Sequence, residues 1–359
     1  MCHSSTRARV RSLRPVAEHQ AVVRAIVGPR PPMPMSLGAA VGRVLAADVL
    51  AGCPLPAFDN SAVDGYAVAS ADVAAAGPRS PVVLPVLRDI PAGCGDGKPL
   101  RGGTAHRIMT GAPVPPGADA VIPVELTDRG LANVSVTAPA GSGACIRRQG
   151  EDIQPGARAL RAGMVVGAAQ AGLLSALGQR QVLAWPPLRV LLISTGSELT
   201  GEGAAPGAGQ VRDANTIMLA TAIAASGAVV SQSHVVRDNT ADLLAVIERA
   251  GGGIDVVLTS GGISAGAYEV VKEALTPCGI DFAQVAMQPG RPQGAGLLHG
   301  VPVVALPGNP VSALISFEVF VRPALRLAMG FNPPERRTAL KTLAGSVDAR
   351  RASASFGSA

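Results

Sequence analysis

Hydrophobic positions follow one rhythm after residue 186 and another before it. Beyond the Ala184-Trp185-Pro186-Pro187 linker, short apolar runs alternate with amphipathic ones. RVLLIS (189–194), VVSQSHVV (229–236), IDVVLTS (254–260) and VPVVAL (301–306) read as buried strands. Between and after them, Asn215 to Ser226 (stopped by Gly227), ADLLAVIERAG behind Asn239-Thr240, YEVVKEAL and the stretch following PGNP read as helices. Asn309 suits the N-cap of the last helix, a long one, and Pro310 its first turn. This alternation predicts a doubly wound, mostly parallel α/β sheet with right-handed crossovers.

Ahead of the linker, Val16 to Val27 has helical spacing and stops at Gly28-Pro29. Residues 36–50 predict a short helix that passes into an extended segment near Val49. From 51 to about 144 short apolar runs alternate with turns, and prolines at 78, 81, 85, 91, 99, 113, 115, 116 and 123 preclude long helices. A small β domain follows from that pattern. Within it, FDNSAVDGYA (58–67) concentrates two Asp, an Asn, a Ser and a Gly between apolar flanks. Asn and Asp bond back to local backbone and Gly65 permits positive φ, so a shaped loop is expected between Phe58 and Tyr66. The plainer alternative is an Asx-rich connection between two strands.

With 359 residues the chain is too long for one core and predicts two to three domains. The net charge of +6 points weakly to nucleic acid: Arg7, Arg9, Arg11 and Arg14 sit in an acid-free leader, aromatics are 3%, and no basic run lies in the body. Cys2, Cys53, Cys94, Cys145 and Cys278 form no CxxC pair, and the five His are scattered, so neither a disulfide framework nor a zinc site is indicated. The leader lacks an apolar h-region and no apolar stretch reaches the ~18 residues of a membrane span, so a cytoplasmic protein without membrane contact is expected.

In a doubly wound sheet, ligands sit beyond the carboxyl ends of the strands. Three loops leave those ends: STGSEL (194–199), TSGGISAG (259–266) and LPGNPVS (306–312). Small residues and backbone N–H groups ahead of helix starts predict an anionic ligand there, although a tight βα turn also needs glycine. None of the three fits the P-loop pattern or GxGxxG.

Together with FDNSAVDGYA, RIMTGAPVPPGADAVIPVE (107–125), IRRQGEDIQPG (146–156), GQVRDANT (209–216), VRDN (236–239) and QPGRPQGAG (288–296), these loops resemble the molybdopterin molybdenumtransferase family, MoeA in bacteria and the gephyrin E domain in animals. The resemblance runs collinearly from about residue 15 to 330. It implies domain I over 15–50 and 145–185, domain II, the β domain, over 51–144, and domain III, a MogA-like molybdopterin-binding α/β domain, over 186–330. Residues 1–14 are expected to be a disordered leader. Residues 331–359 would be a short, disordered remnant of a C-terminal β domain IV that the family normally carries.

The same resemblance implies a homodimer of elongated subunits, with a cleft shared between the β domain of one and the α/β domain of the other. Adenylylated molybdopterin and molybdate are the implied substrates, AMP is released and Mg²⁺ is required; contacts with the upstream adenylyltransferase and with molybdoenzymes are implied partners. Asp64, Thr110, Glu198, Asp238 and Glu269 match catalytic positions, the last three also as Mg²⁺ ligands. Thr195, Gly196, Asp213, Asn215, Ser260, Gly261, Gly262, Ser264, Pro307, Gly308, Asn309 and Pro310 match substrate-binding positions, and Arg291, Pro292 and Ser312 match molybdate positions. Arg147 and Arg148 reach substrate phosphates or cover a hinge. Plainer roles stand beside these: solvated loop carboxylates, helix caps at Asp213 and Asp238, and tight turns at the glycines.

The family pattern has Lys at the positions of Gln288 and Arg291, Asp at that of Glu269 and Met at that of Val63, which implies altered oxyanion binding. Two alternatives to an active transferase follow: a pterin-nucleotide binding module without turnover, and a gephyrin-like scaffold.

Overall fold

The computed structural model describes residues 13–94, 97–201, 203, 205–264, 266 and 269–339, with the backbone of 354–355. Residues 1–12 of the expected leader and most of the expected C-terminal remnant lie outside the described residues. The chain divides into two compact units: one contains the residues up to 47, 162–167 and those from 181 on, the other 48–161 and 168–180.

In the first unit, helix α1 (Val16–Ile26) precedes the sheet, as the spacing predicts. The sheet strands are β1 (Arg189–Thr195), β2 (Val229–Val236), β3 (Val256–Ser260), β4 (Asp281–Gln284), β5 (Pro292–Leu298) and β6 (Val301–Leu306). Their order is β2-β1-β3-β6-β5-β4. The first four in that order run parallel, with Leu192 opposite Leu258 and Leu258 opposite Val304. β5 and β4 complete the edge antiparallel. β1, β3 and β6 are covered on both faces, which is why they read as continuous apolar runs; β2, expected to be buried, is exposed along most of its length because it forms the sheet's edge. Val190 and Leu192 point to one core with Leu219, Phe317 and Phe320. Leu191 and Ile193 point to the other, with Leu243, Ile247 and Val271.

The helices match their signals. α2 (Asn215–Ser226) ends at Gly227 in the left-handed region with φ +97°, and α3 (Thr240–Ala250) is capped by the Asn239 carboxamide accepting from the amides of Ala241 and Asp242. α4 (Val270–Leu275) is short. The expected long final helix is divided: α5 (Pro310–Ser316) passes through a π-helical turn (Phe317–Val321) into α6 (Arg322–Ala328). The π turn is closed by the Arg322 amide on the Phe317 carbonyl, just before Pro323, which has no N–H to continue the α-helical ladder.

Two stretches depart from the expected disorder. Arg14 donates its amide to the Gln284 carbonyl and its guanidinium to Asp281 at 2.6 Å. Phe331 is buried in the core, and Arg336 grips Glu318. The antiparallel edge left no pattern in the sequence, because β5 carries Gly294 and Gly296 where alternation would put large residues. A Cβ on Gly294 would lie 2.5 Å from the Phe282 ring.

The second unit holds the predicted β domain as a five-stranded sheet, in the order 120–123, 65–68, 105–108, 82–90, 133–136. Tyr66, Val68, Ile122, Val134 and Val136 form its core. FDNSAVDGYA is a loop only in part: Asn60 and Ser61 pair with Arg147 and Ile146, and Gly65 opens the strand Gly65–Val68. Gly65 does not take the positive φ expected of it. It is glycine because a Cβ there would sit 1.9 Å from the Ile122 carbonyl oxygen of the neighbouring strand. Gly65→Ala should therefore cost about 2–3 kcal/mol in denaturant unfolding, as the sheet shifts to admit the methyl group.

On α1, His19 is fully buried edge-on against Phe320, with ring centroids 4.7 Å apart. Burial above all, then the Arg14 guanidinium, pushes its pKa down to about 4, against a smaller opposing pull from Asp281. The unfolded chain takes up a proton near pH 6.5 that the folded chain refuses until about pH 4. Stability is complete above pH 6.5 and falls between 6.5 and 4, by up to about 3 kcal/mol. Urea midpoints measured across that window should fall for the parent chain and show a shallower slope for His19→Leu.

Candidate functional site

The three loops leaving β1, β3 and β6 meet around a cavity of about 470 Å³. Their glycines are what lets them meet. Gly261 (φ +97°) would put a Cβ 2.5 Å from the Thr195 carbonyl oxygen, and a Cβ on Gly308 would lie 3.2 Å from the Gly261 Cα. Gly262 also takes a positive φ, +64°.

Asn215, the first residue of α2, stitches the loops together. Its carboxamide nitrogen donates to the Ser260 hydroxyl at 2.7 Å and to the Gly308 carbonyl at 2.8 Å. Ser260 donates onward to the Pro307 carbonyl at 3.2 Å. The Asn215 Oδ1 is buried without a hydrogen-bond partner among the described residues, and Asn215 lines the cavity. An orphaned buried acceptor beside a cavity has a use when a ligand N–H reaches it.

Each carboxylate at the cavity has a local hold. The Asp238 carboxylate accepts from the Ser197 amide at 2.9 Å, and its own amide donates to the Ser197 hydroxyl at 3.1 Å, tying the loop after β2 to that after β1. The helix cap there is Asn239, not Asp238. Glu198 rests on Gly196, where a Cβ would lie 2.7 Å from Oε2. Glu269 accepts from the amides of Ser264 at 2.5 Å and Gly266 at 2.7 Å, so both its oxygens shape the glycine loop. In the third loop the Asn309 side chain accepts from the Ser312 amide at 3.1 Å with Pro310 at the first helical position, as the sequence predicts.

The cavity thus brings together Thr195, Gly196, Glu198, Asn215, Asp238 and Glu269 with Gly261, Gly262 and Ser264, and with Pro292, Pro307, Gly308, Asn309 and Ser312. Ser260 lies buried beneath it. Asp213 serves as a cap, accepting the Thr216 amide at 3.1 Å. Pro310 starts α5, and Arg291 precedes Pro292 with its Nε buried and unpartnered among the described residues.

Two participants escaped the sequence reading. Gly290 lines the cavity with φ +97°, and buried Gln293 donates to its carbonyl at 2.7 Å and to Ser316 at 2.6 Å. Both sit in QPGRPQGAG, whose periodicity carries no signal for them.

Glu198, Asp238 and Glu269 do not assemble a metal site by themselves. Among the described residues no group of three His, Cys, Asp or Glu is placed to hold an ion.

In the second unit, Asp64 and Thr110 form a pair of their own. The Asp64 carboxylate accepts from the Thr110 amide and hydroxyl, both at 2.7 Å. The amide foremost, then the hydroxyl, holds the Asp64 pKa below the usual carboxylate value, which keeps this exposed group ionised. Arg148 donates to Asp59 at 2.6 Å, and Arg147 pairs with Asn60 through the backbone.

Residues 14–178 match the MoeA N-terminal region (domain I and II), and residues 191–327 match the probable molybdopterin binding domain. The chain is 48% identical to molybdopterin molybdenumtransferase 2 of Mycobacterium tuberculosis over 96% of its own length and 87% of that protein's. It is 41% identical to molybdopterin molybdenumtransferase 1 of the same organism, over 90% and 80% of the two chains. A crystal structure of a molybdopterin biosynthesis MoeA protein from Pyrococcus horikoshii superposes with a TM-score of 0.72 at 30% identity, covering 90% of this chain and 81% of that one. With two family models that together match most of its length and relatives at 48% and 41% identity, the chain belongs to the MoeA family of molybdopterin molybdenumtransferases.

Proposed function

We propose that this protein acts in molybdenum cofactor biosynthesis, inserting molybdate into adenylylated molybdopterin with release of AMP. The observation that carries the reading is the cavity of about 470 Å³ walled by three glycine loops, with the unpartnered Asn215 Oδ1 beside it. The loop backbones leave space for an anionic substrate, and the Asn215 acceptor suits a pterin N–H. Arg291 and the Ser312 hydroxyl supply positive charge and a donor for the molybdate substrate, with Pro292 shaping the wall.

Mg²⁺ bound with the substrate would offset the charge that develops as the phosphoanhydride breaks. Glu198, Asp238 and Glu269 are the carboxylates to hold it, Glu269 keeping acceptor capacity beyond the one loop amide on each of its oxygens. Glu269 also holds the amides of Ser264 and Gly266 in place. Asp64, ionised and oriented by Thr110, is a candidate for moving a proton or ordering water.

A homodimer, a cytoplasmic location, contact with the upstream adenylyltransferase and with molybdoenzymes, and the four-domain division with boundaries near 50, 145 and 186 are parts of the same proposal. Among the described residues no helix is long and apolar enough to cross a membrane.

The purified chain, given adenylylated molybdopterin, Mg²⁺ and molybdate, should release AMP in a molybdate-dependent manner. Asp64→Ala and Glu269→Ala should each slow release by about a hundredfold or more. Release by the parent chain at the enzyme-free rate would overturn the reading.

A further inference from the structure

A second cavity in the α/β unit, of about 460 Å³, shares no lining residue with the first. Glu318, Arg322 and Arg326 recur every four residues and so project from one side of the α5–α6 helix. The segment after α6 turns back over them with Phe331, Glu335, Arg336 and Arg337. Four guanidiniums, those of Arg322, Arg326, Arg336 and Arg337, line the space.

The carboxylates here are already committed. Arg336 holds Glu318 through two hydrogen bonds of 2.7 and 2.8 Å, with the Arg322 Nε 3.8 Å away. Glu335, the acidic residue of the cavity wall, accepts from Arg24 at 2.6 Å. Among the described residues, two carboxylates therefore serve the guanidiniums of Arg24, Arg322, Arg326, Arg336 and Arg337.

Arg322 is only 9% exposed and spends one donor on the Pro334 carbonyl at 3.3 Å. Arg326 lies over the Phe331 ring at 3.8 Å and donates to the Ser226 carbonyl at 3.4 Å. Its Nε is buried with no partner among the described residues. Burial first, then neighbouring arginines, pushes both groups below the usual arginine range. A guanidinium still stays protonated at any ordinary pH, so the excess charge calls for an anion. Carbonyls and the Phe331 ring take some of these donors, but the Arg326 Nε and the cavity-facing guanidiniums keep donors that an anion can reach.

We propose that this cavity binds a multiply charged oxyanion of the phosphate-chain class, either free or as the tail of a nucleotide. Guanidinium forks match phosphate oxygens pairwise, and a cavity of about 460 Å³ is roomy enough for two or three linked phosphates. The site is independent of the transferase reading and stands whether or not the chain releases AMP.

Calorimetric titration of the full chain with inorganic tripolyphosphate and with ADP, at fixed ionic strength, tests it. Binding is expected, weakened by roughly tenfold or more in Arg326→Gln and in Arg337→Gln, as the loss of one charge-assisted contact predicts. Arg337 is exposed, so Arg337→Gln decides the matter if Arg326→Gln fails to fold. Arg249→Gln, on the exposed side of α3, should bind as the parent does. Similar affinity for both probes assigns a free phosphate chain and tighter ADP assigns a nucleotide tail; either supports the site. No binding, equal weakening in Arg249→Gln, or binding that survives in the arginine variants but is lost in Asn215→Ala would overturn it.

Discussion

The close approach of three loop backbones at the carboxyl edge of the parallel sheet is the constraint on which the functional unit depends. A Cβ on Gly261 would run into the Thr195 carbonyl, and one on Gly308 would crowd Gly261. At such distances no side chain fits between the loops, so backbone groups and a few short polar side chains form the wall. Asn215 then makes the contact specific. One carboxamide, at the start of the helix after β1, bonds to the loops after β3 and β6 at once. A parallel sheet supplies the rest, since each of its strands ends on the same edge and each following helix begins there.

The acidic residues act on the same frame by two routes. Asp238 and Glu269 are bound into loop backbone, so their charge is fixed in place by amide donors and does not wave in solvent. Glu198 lies against Gly196, where any larger residue would displace it. Arrangements of this kind are preorganised, because little reordering remains to be done on binding. Asp64 in the β unit repeats the principle, with Thr110 supplying both an amide and a hydroxyl donor.

Arginines take a different part in the α/β unit. Arg43 donates to the Gly227 carbonyl and Arg326 to the Ser226 carbonyl, at the C-terminal end of α2 where helix carbonyls lack partners. Arg326 belongs as well to the cluster around Arg322, where, among the described residues, guanidiniums outnumber carboxylates.

Much of this was legible from residue order. Buried strands appear as VLLIS and VVAL because both faces of the sheet are covered, and Gly227, Asn239, Asn309 and Pro310 mark helix ends because their local chemistry suits nothing else as well. The family motifs named the three loops and most of the residues at the cavity. Gly65 was legible as necessary but for the wrong cause: its neighbour across the sheet, Ile122, is far away in the chain, so local dihedral preference suggested a turn where a steric limit operates. The glycine-bearing antiparallel strand β5, the π turn before Pro323 and the buried Gln293 were illegible for the same reason. The sequence by itself determined the order of elements, their caps and the family. Only the tertiary structure decided which glycines leave no room for a Cβ, which carboxylates are held by loop amides and where arginines gather, because each depends on residues that meet only after the sheet has formed.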